Sequence, residues 1–574
     1  MGETKFLAIV GCGARGLHAL ERFFITLSDR VSSQLVGNYK VIVFETRENL
    51  GTGLAWDPDQ TSVNWSNISD RALEPFEGRP AFNLKDVHFP SFPSYLEWLE
   101  EVMGVTINEE KDTFSKRKVT GAYLVQRVLS IVEPLQSLGL LEVKRERVIK
   151  LTHQENVFTL DTEQGDGYDF KKVLLALGHL KTTISKENQR FIEHAKKDAL
   201  HFSNDPYSHE AAAIYASSKK ILIKGLGLAM IDVVRMITEN DNAGFEKNDH
   251  NIFLNYTGNK NVQIVPYSLD GLAMVPKPVG KHIDDNFDPI KAGKAEMLDQ
   301  LKTDIKNGEV QDVDDILYPI AGVVMNVYNR FDQPYGSSSL SDAEGKDLIV
   351  TWLKDQTTKN EHIIDTNMFI VDYMKLTCQM SHGNTPFSLD YTIGQVWREL
   401  QIDMYYLYTY QLLPPALVAR FIEINEMAKR YSFGPPVESI LQLIALHDAS
   451  VLNLDFVNQP EIELVDDGFK ILKNDKEIVC DALIDSVLDK PNLSNITDPL
   501  IESLVSKSMT QQFEENLGIA VSHSANHLLG SVTIEGLHHV GRNTKGSEHG
   551  VDALLECFDT QKMQVVIDEI LLNS

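Results

Sequence analysis

Glycines at positions 11, 13 and 16, followed by an acid at 45, are the first residues whose types and spacing point to chemistry. A short apolar run, Phe6 to Val10, leads directly into Gly11-x-Gly13-x-x-Gly16, and a second run, Val41 to Phe44, ends on Glu45. Strand, glycine turn, helix, strand and acid, in that order, form the dinucleotide-binding fingerprint. Gly11 permits the tight turn, Gly13 lets a pyrophosphate approach the backbone, and Gly16 lets the helix pack on the strand. The helix aims its free N–H groups and positive dipole end at the phosphates. Glu45 is placed to accept hydrogen bonds from ribose hydroxyls. The gap from Gly16 to Glu45 exceeds the usual roughly 20 residues. A long first helix and a loop at Gly37-Asn38 are expected to absorb it.

The pattern restarts at 219–232, KKILIKGLGLAMID: an apolar strand, then Gly225-x-Gly227, then a helix to about Glu239. Met230 stands where the third glycine belongs. A further strand, Val262–Pro266, runs into Tyr267-Ser268-Leu269-Asp270-Gly271. Between the two units, helical spacing covers 91–103 and 120–138. Strand-like runs follow at Leu141–Val148 and Val157–Leu160, and an apolar strand ends at Gly178-His179. Residues 180–217 read as polar connection. Residues 290–450 are mostly helical by period. Strands return at 461–486, with Val479–Asp485 as one buried strand. Gly536–Arg542 reads as a strand into a glycine turn at Gly541, and a closing helix is expected from about His549 or Gly550.

The chain's 574 residues exceed one core and imply two or three domains. Its net charge of −28 makes nucleic acid and anionic membrane unfavourable partners. No apolar run approaches the roughly 20 residues that cross a bilayer. The first strand begins too early to leave room for a signal peptide, and Phe6 occupies the Ser/Thr position of a myristoylation signal. The four cysteines, Cys12, Cys378, Cys480 and Cys557, form no CxxC pair. That spacing fits a cytoplasmic, reducing setting, with neither structural zinc nor a redox dithiol. His523 and His527 would share a face on a helix, but the HSANH order lacks the Glu of a metalloprotease pair, so no metal is expected.

Several of these stretches together resemble the flavoproteins with two dinucleotide sites that are described as FAD/NAD(P)-binding proteins. Gly11-x-Gly13-Ala14-Arg15-Gly16, Glu45, Gly51-x-Gly53-Leu54-Ala55-Trp56 and Val63-Asn64 are similar to that family's first site. So are Arg117-x3-Gly121-x-Tyr123-Leu124, the return motif Ala176-Leu177-Gly178-His179, the second site Gly225-x-Gly227-Leu228-x3-Asp232, and the closing Gly536-Leu537-x3-Gly541. The resemblance covers about 1–180, 219–275 and 515–560, is poor over 290–450, and reaches distantly to the N-hydroxylating class B flavin monooxygenases.

The resemblance implies an α/β fold of two Rossmann-like dinucleotide-binding domains. FAD belongs to 1–185 with 490–574, and NADPH or NADH to 186–285 with 455–489, with a mostly helical insertion at 286–454. It assigns cofactor contact to Gly11, Gly13, Ala14, Arg15, Gly16, Glu45, Gly53, Trp56, Asn64, Arg117, Gly178, Gly225, Gly227, Asp232 and Gly541. The helix after Gly541 is expected to face the flavin N1–C2=O edge, while Trp56 and Trp65 either line the ring pocket or pack. Asp270 stands where relatives place a base for a 2′-phosphate, with Lys277 or Lys281 as substitutes. The implied activity is an NAD(P)H-dependent monooxygenase that takes molecular oxygen and a small polar amine or amino acid through a flavin hydroperoxide. An FAD dehydrogenase without oxygen insertion and a non-catalytic flavin-binding regulatory protein stay open. No residue stands out as general base, and oligomeric state is not legible.

Overall fold

The computed structural model describes residues 5–572, except 109, 197–199, 239–243, 249, 409–412 and 552. Two parallel sheets organise it, and the α/β, double-Rossmann expectation holds. The first sheet runs in the order Leu141–Lys144, Val41–Phe44, Lys5–Val10, Gly167–Leu175, Val532–His539, all parallel, with Asn526–Leu529 antiparallel at the end. Every residue of Phe6–Val10 and Val41–Phe44 is buried, because helices or further strands cover both faces. One face packs on helices Ala14–Arg30, Arg117–Ser137 and Thr560–Leu572. The other meets the antiparallel strands Val148–Gln154 and Val157–Thr162 and helix Pro499–Ser506.

The second sheet is Gln263–Tyr267, Lys220–Lys224, Ala482–Asp485, His201–Ser203, again all parallel. Helices between Lys294 and Asp448 share one apolar core with a face of this sheet. The antiparallel strands Glu461–Val465, Gly468–Lys473 and Lys476–Cys480 pack with Phe191 and Phe202 against the other.

The long first helix, Ala14–Arg30, and a single turn at Val36–Asn38 fill the span from Gly16 to Glu45 as expected. Four readings need correction. The stretch 180–217 is not mere connection: it holds helices Lys186–His194 and His209–Ser217, and the strand His201–Ser203 completes the second sheet. Ser185 and Ser208 cap those helices by accepting the N–H of Asn188 and Ala211. Val479–Asp485 is two strands in different sheets, parted at Asp481, whose carboxylate takes the N–H groups of Lys219 and Lys220. Leu141–Val148 likewise divides after Lys144. No helix starts at His549 or Gly550. Gly546 and Gly550 sit at φ 110° and 68°, which a right-handed helix cannot use, and the closing helices are Leu554–Cys557 and Thr560–Leu572. The helix expected to about Glu239 is Leu228–Thr238, and Glu239 lies outside the described residues.

Candidate active site

Strand ends of the first sheet bring separate stretches of chain to one edge. Gly11 donates its N–H to the Phe44 carbonyl (2.8 Å) and holds φ at 94°. A Cβ on it would lie 2.4 Å from the Ala176 carbonyl oxygen, so strands Lys5–Val10 and Gly167–Leu175 could not close on one another there with any other residue. At Gly16 a Cβ would lie 2.2 Å from the Gly11 oxygen, which seats helix Ala14–Arg30 on the turn. Gly13 is different. Its absent Cβ would face only Gly53, at 3.5 Å from Cα, and it opens the helix with no side chain capping the free N–H groups.

The loop carrying Gly53 is fixed from two sides. Gly51 donates to the Cys12 carbonyl (2.6 Å) and presses on the Leu124 carbonyl, while Trp56 sets its own carbonyl against Gly121, where a Cβ would be 1.9 Å away. The Arg-x3-Gly spacing thus has a packing cause: helix Arg117–Ser137 needs a bare backbone at its second turn to take the Trp56 loop. Trp56 is partly buried on the first core. The Asn64 carbonyl accepts the Arg117 N–H (3.0 Å), and the buried Asn64 side chain has an Oδ1 with no partner.

Glu45 turns inward. Its two oxygens accept the N–H groups of Cys12 (2.8 Å) and Arg47 (2.9 Å), so the carboxylate braces the glycine turn at the place expected to meet a ribose. Burial, then the Glu45 charge, push the Cys12 thiol up to about 12, which keeps it protonated and inert. Ala14 is buried in the same turn. Arg15 reaches across the chain, donating to the carbonyls of Val551 (2.9 Å) and Gly550 (2.8 Å), and its stem occupies the space beside Gly541. Gly541 (φ 99°) starts a single turn, Arg542–Thr544, and Asn543 donates to the Gly178 carbonyl (3.0 Å). The long helix N-terminus expected behind Gly541 is therefore replaced by one turn.

The second unit repeats this backbone. Gly225 donates to Tyr267 (2.7 Å) as Gly11 does to Phe44, and the N–H groups of Met230 and Ile231 return to the Gly227 carbonyl. A Cβ on Gly227 would meet nothing within 4 Å. Met230, at the third glycine position, is buried in the helical core.

Arg117 and Asp232, each singled out separately, meet one another. They form an ion pair, and the Tyr207 hydroxyl donates to the same Asp232 oxygen (2.8 Å). Burial opposes the Arg117 charge, but Asp232 and Tyr207 more than offset it and its pKa rises. Burial and then the Asp232 carboxylate raise the Tyr207 hydroxyl, so it stays a proton donor. One turn on, the Arg235 guanidinium lies 3.9 Å over the Trp65 ring. Helix Leu228–Thr238 is thereby joined to the first glycine domain at two levels.

Lys277 is not at the loop 268–270. Its ammonium donates to the Asn67 carbonyl (2.6 Å), and burial, then Arg398, lower its pKa to about 7. Lys281 pairs with Asp285. Tyr123 is a core residue that donates to the Pro93 carbonyl. His523 and His527 share no helix: residues 526–529 are a strand, and His527 is buried with its ring stacked on His539. Burial lowers His527, His538 and His539, so all three rings are neutral. Among the described residues no group of three His, Cys, Asp or Glu is arranged to hold a metal, and no helix is long and apolar enough to cross a membrane. Sequence reasoning missed Tyr207 and the Ser268-to-Gly271 loop geometry; the Ser208 cap was the only local sign of the former.

Residues 8–180 match the family model described as FAD-NAD(P)-binding. No curated protein matches the chain in sequence. Among solved structures it is similar to ornithine hydroxylase from Pseudomonas aeruginosa, at 12% identity over 99% of both chains with a TM-score of 0.43. It is also similar to a cyclohexanone monooxygenase, at 13% identity over 98% of this chain and 87% of that one (TM-score 0.45). A flavin monooxygenase from Stenotrophomonas maltophilia stands at 11% identity over the whole of both chains (TM-score 0.42). By the family model and the turn geometry together, the part of the chain spanning residues 8–180 is an FAD-NAD(P)-binding domain.

Proposed function

We propose that the protein is an FAD-dependent oxidoreductase, an NAD(P)H-dependent monooxygenase of a small polar amine or amino acid. One observation carries the reading: the glycine-turn backbone is built twice, with the same strand-to-strand hydrogen bond at Gly11 and Gly225, in one chain. Residues 1–185 and 490–574 then form the FAD domain, 186–285 and 455–489 the nicotinamide domain, and 286–454 the helical insertion.

The residues fit a dinucleotide. Gly13 and Gly53 leave a gap bare of side chains beside an uncapped helix N-terminus, and Asn64 holds an unpartnered buried oxygen. In this reading Gly11, Gly13, Ala14 and Gly16 cradle the pyrophosphate. Glu45 stiffens the turn and meets the ribose with its remaining lone pairs. Arg15, Gly178 and Gly541 close the C-terminal segment over the cofactor, with Gly53, Trp56 and Asn64 on the other side. Gly225 and Gly227 hold the nicotinamide coenzyme, and Arg117 with Asp232 fixes that unit against the first. Bound flavin supplies two-electron transfer from nicotinamide to oxygen. The chain's own part is to orient the reactants and exclude water. Substrate selection belongs in this reading to the helical insertion and the 51–95 loops, and contacts of Lys545 with Glu426 and His549 with Gln401, which join the insertion to the closing segment, support the first of these.

The test is an anaerobic titration of the purified protein with NADPH and NADH, followed by oxygen and product analysis. Bleaching of the flavin band and one oxygen atom inserted per coenzyme oxidised supports the reading. Bleaching without oxygen insertion means a dehydrogenase. A yellow protein that neither coenzyme reduces means a non-catalytic flavin-binding protein, and a protein that takes up no FAD refutes the proposal.

A further inference from the structure

The two units share a backbone and differ where each second strand ends. In the first, the residue after Phe44 is Glu45. In the second, the matching residue after Tyr267 is Ser268, and the acid comes two places later at Asp270. The loop is held rigidly: Ser268 donates to Val457 (2.7 Å), Gln459 donates back to Ser268 (2.9 Å), and the Gln459 side chain holds the Leu269 carbonyl (2.6 Å). Gly271, at φ 66°, lies against Asn458 so closely that a Cβ would stand 2.4 Å from the Asn458 Cβ. Within the loop, Asp270 Oδ1 accepts the Ser268 hydroxyl (2.9 Å) and the Leu272 N–H (3.1 Å), and the residue is exposed.

The same carboxyl edge of the sheet displays apolar side chains to solvent. Leu269 is 83% exposed after one strand, and Val487 and Leu488 are 55% and 51% exposed after its neighbour but one. Ligands of open parallel sheets bind in the crevice beyond the carboxyl ends of the strands, where these apolar side chains are exposed. The two lysines considered for this place are engaged elsewhere, Lys277 with Asn67 and Lys281 with Asp285; the buried Arg430, whose charge Asp270 helps to sustain, is held by Gln356 and Tyr373. Lys473 shares the edge, its ammonium donating to the Asn458 carbonyl.

We infer that the second crevice selects a nicotinamide dinucleotide with an unsubstituted 2′-hydroxyl, NADH over NADPH, and that Asp270 sets the choice. This rests on the reading that the second sheet takes a nicotinamide coenzyme. A ribose hydroxyl donates to the Asp270 carboxylate, whereas a 2′-phosphate brings a like charge against it.

The test is calorimetric binding of NAD+ and NADP+ to the FAD-loaded protein, with flavin content measured alongside, for the natural chain, Asp270→Arg and Lys473→Ala. Expected are NAD+ binding at least about tenfold tighter than NADP+, a reversed order in Asp270→Arg, and little change in Lys473→Ala. Tighter NADP+ binding by the natural chain overturns the inference, and loss of that binding in Lys473→Ala identifies the base responsible. An FAD-loaded protein that binds neither coenzyme overturns it too, while leaving the flavin site standing. Absence of FAD overturns the parent reading instead.

Discussion

Replacing Gly13 with alanine separates cofactor binding from folding. Gly13 has φ −74° and ψ −167°, a conformation open to any residue, and the new methyl would lie 3.5 Å from Gly53 Cα and 3.6 Å from Gly53 N, which is ordinary contact. Alanine is a poorer helix N-cap than glycine by roughly 0.5–1 kcal/mol. The restricted unfolded chain returns roughly 0.4–1 kcal/mol. Stability should therefore change by less than about 1 kcal/mol. The methyl nevertheless projects into the gap between Gly13 and Gly53, where a pyrophosphate would approach the backbone. Forcing an extra methyl into such a contact costs about 1–3 kcal/mol, a weakening of FAD binding by roughly 5- to 150-fold. Gly16→Ala is the contrast, since its methyl would stand 2.2 Å from the Gly11 oxygen and the turn itself must break. The assay is flavin-to-protein ratio after gel filtration, FAD affinity by calorimetry, and thermal unfolding of the flavin-free chains. A Gly13→Ala protein that binds FAD as tightly as the natural one refutes the placement of the pyrophosphate. One that unfolds as readily as Gly16→Ala refutes the packing argument.

Asp232→Asn removes the charge that holds Arg117, at a cost of about 1.5–3 kcal/mol for a charged hydrogen bond; faster hydrogen exchange across 228–238 is expected, and unchanged exchange would count against the joint. Glu21 and Arg127 form a buried bidentate pair (2.9 and 2.8 Å) at 1% and 3% exposure. Glu21→Ala strands that guanidinium and should destabilise the first domain by about 3–5 kcal/mol, read from denaturant unfolding; a loss under about 1 kcal/mol would show the charge is solvated. Lys277 carries a folded-state pKa lowered to about 7, so the unfolded chain binds the extra proton between there and the ordinary lysine range near 10.5. Its penalty is fully present below pH 7 and relieved as pH rises above it. Lys277→Met should thus gain most relative to the natural chain at pH 6 and least at pH 10, and a pH-independent difference in unfolding midpoint would refute the shift.

The first glycine turn was legible because all of its signals are local: an apolar run, three glycines and an acid within one supersecondary unit. The second was legible for the same reason despite Met230, since the turn hydrogen bond at Gly225 needs only the first glycine. What sequence could not show was pairing across distance. Arg117 and Asp232 each carry a motif signal, yet nothing in either motif says that they meet, and Tyr207 sits in a stretch whose helices are too short for periodicity to reveal. Glu45 stands at the strand end where its spacing puts it, but its inward hydrogen bonds to Cys12 and Arg47 depend on loop conformation. The closing helices begin at Leu554 rather than near His549 because Gly550, at φ 68°, holds a left-handed backbone that no right-handed helix uses.

Arg15 and the carbonyl of Gly550 that it holds are separated by 535 positions. At roughly 5–20 residues per second of synthesis, that distance is roughly half a minute to two minutes on the ribosome. From its own synthesis until Val532–His539 follows, the flank of strand Gly167–Leu175 that the later strand covers has no partner, and an uncovered strand edge invites pairing with other chains. The glycine turn is thus made long before the segment that closes on it. A product truncated before Val532 would keep that strand edge uncovered.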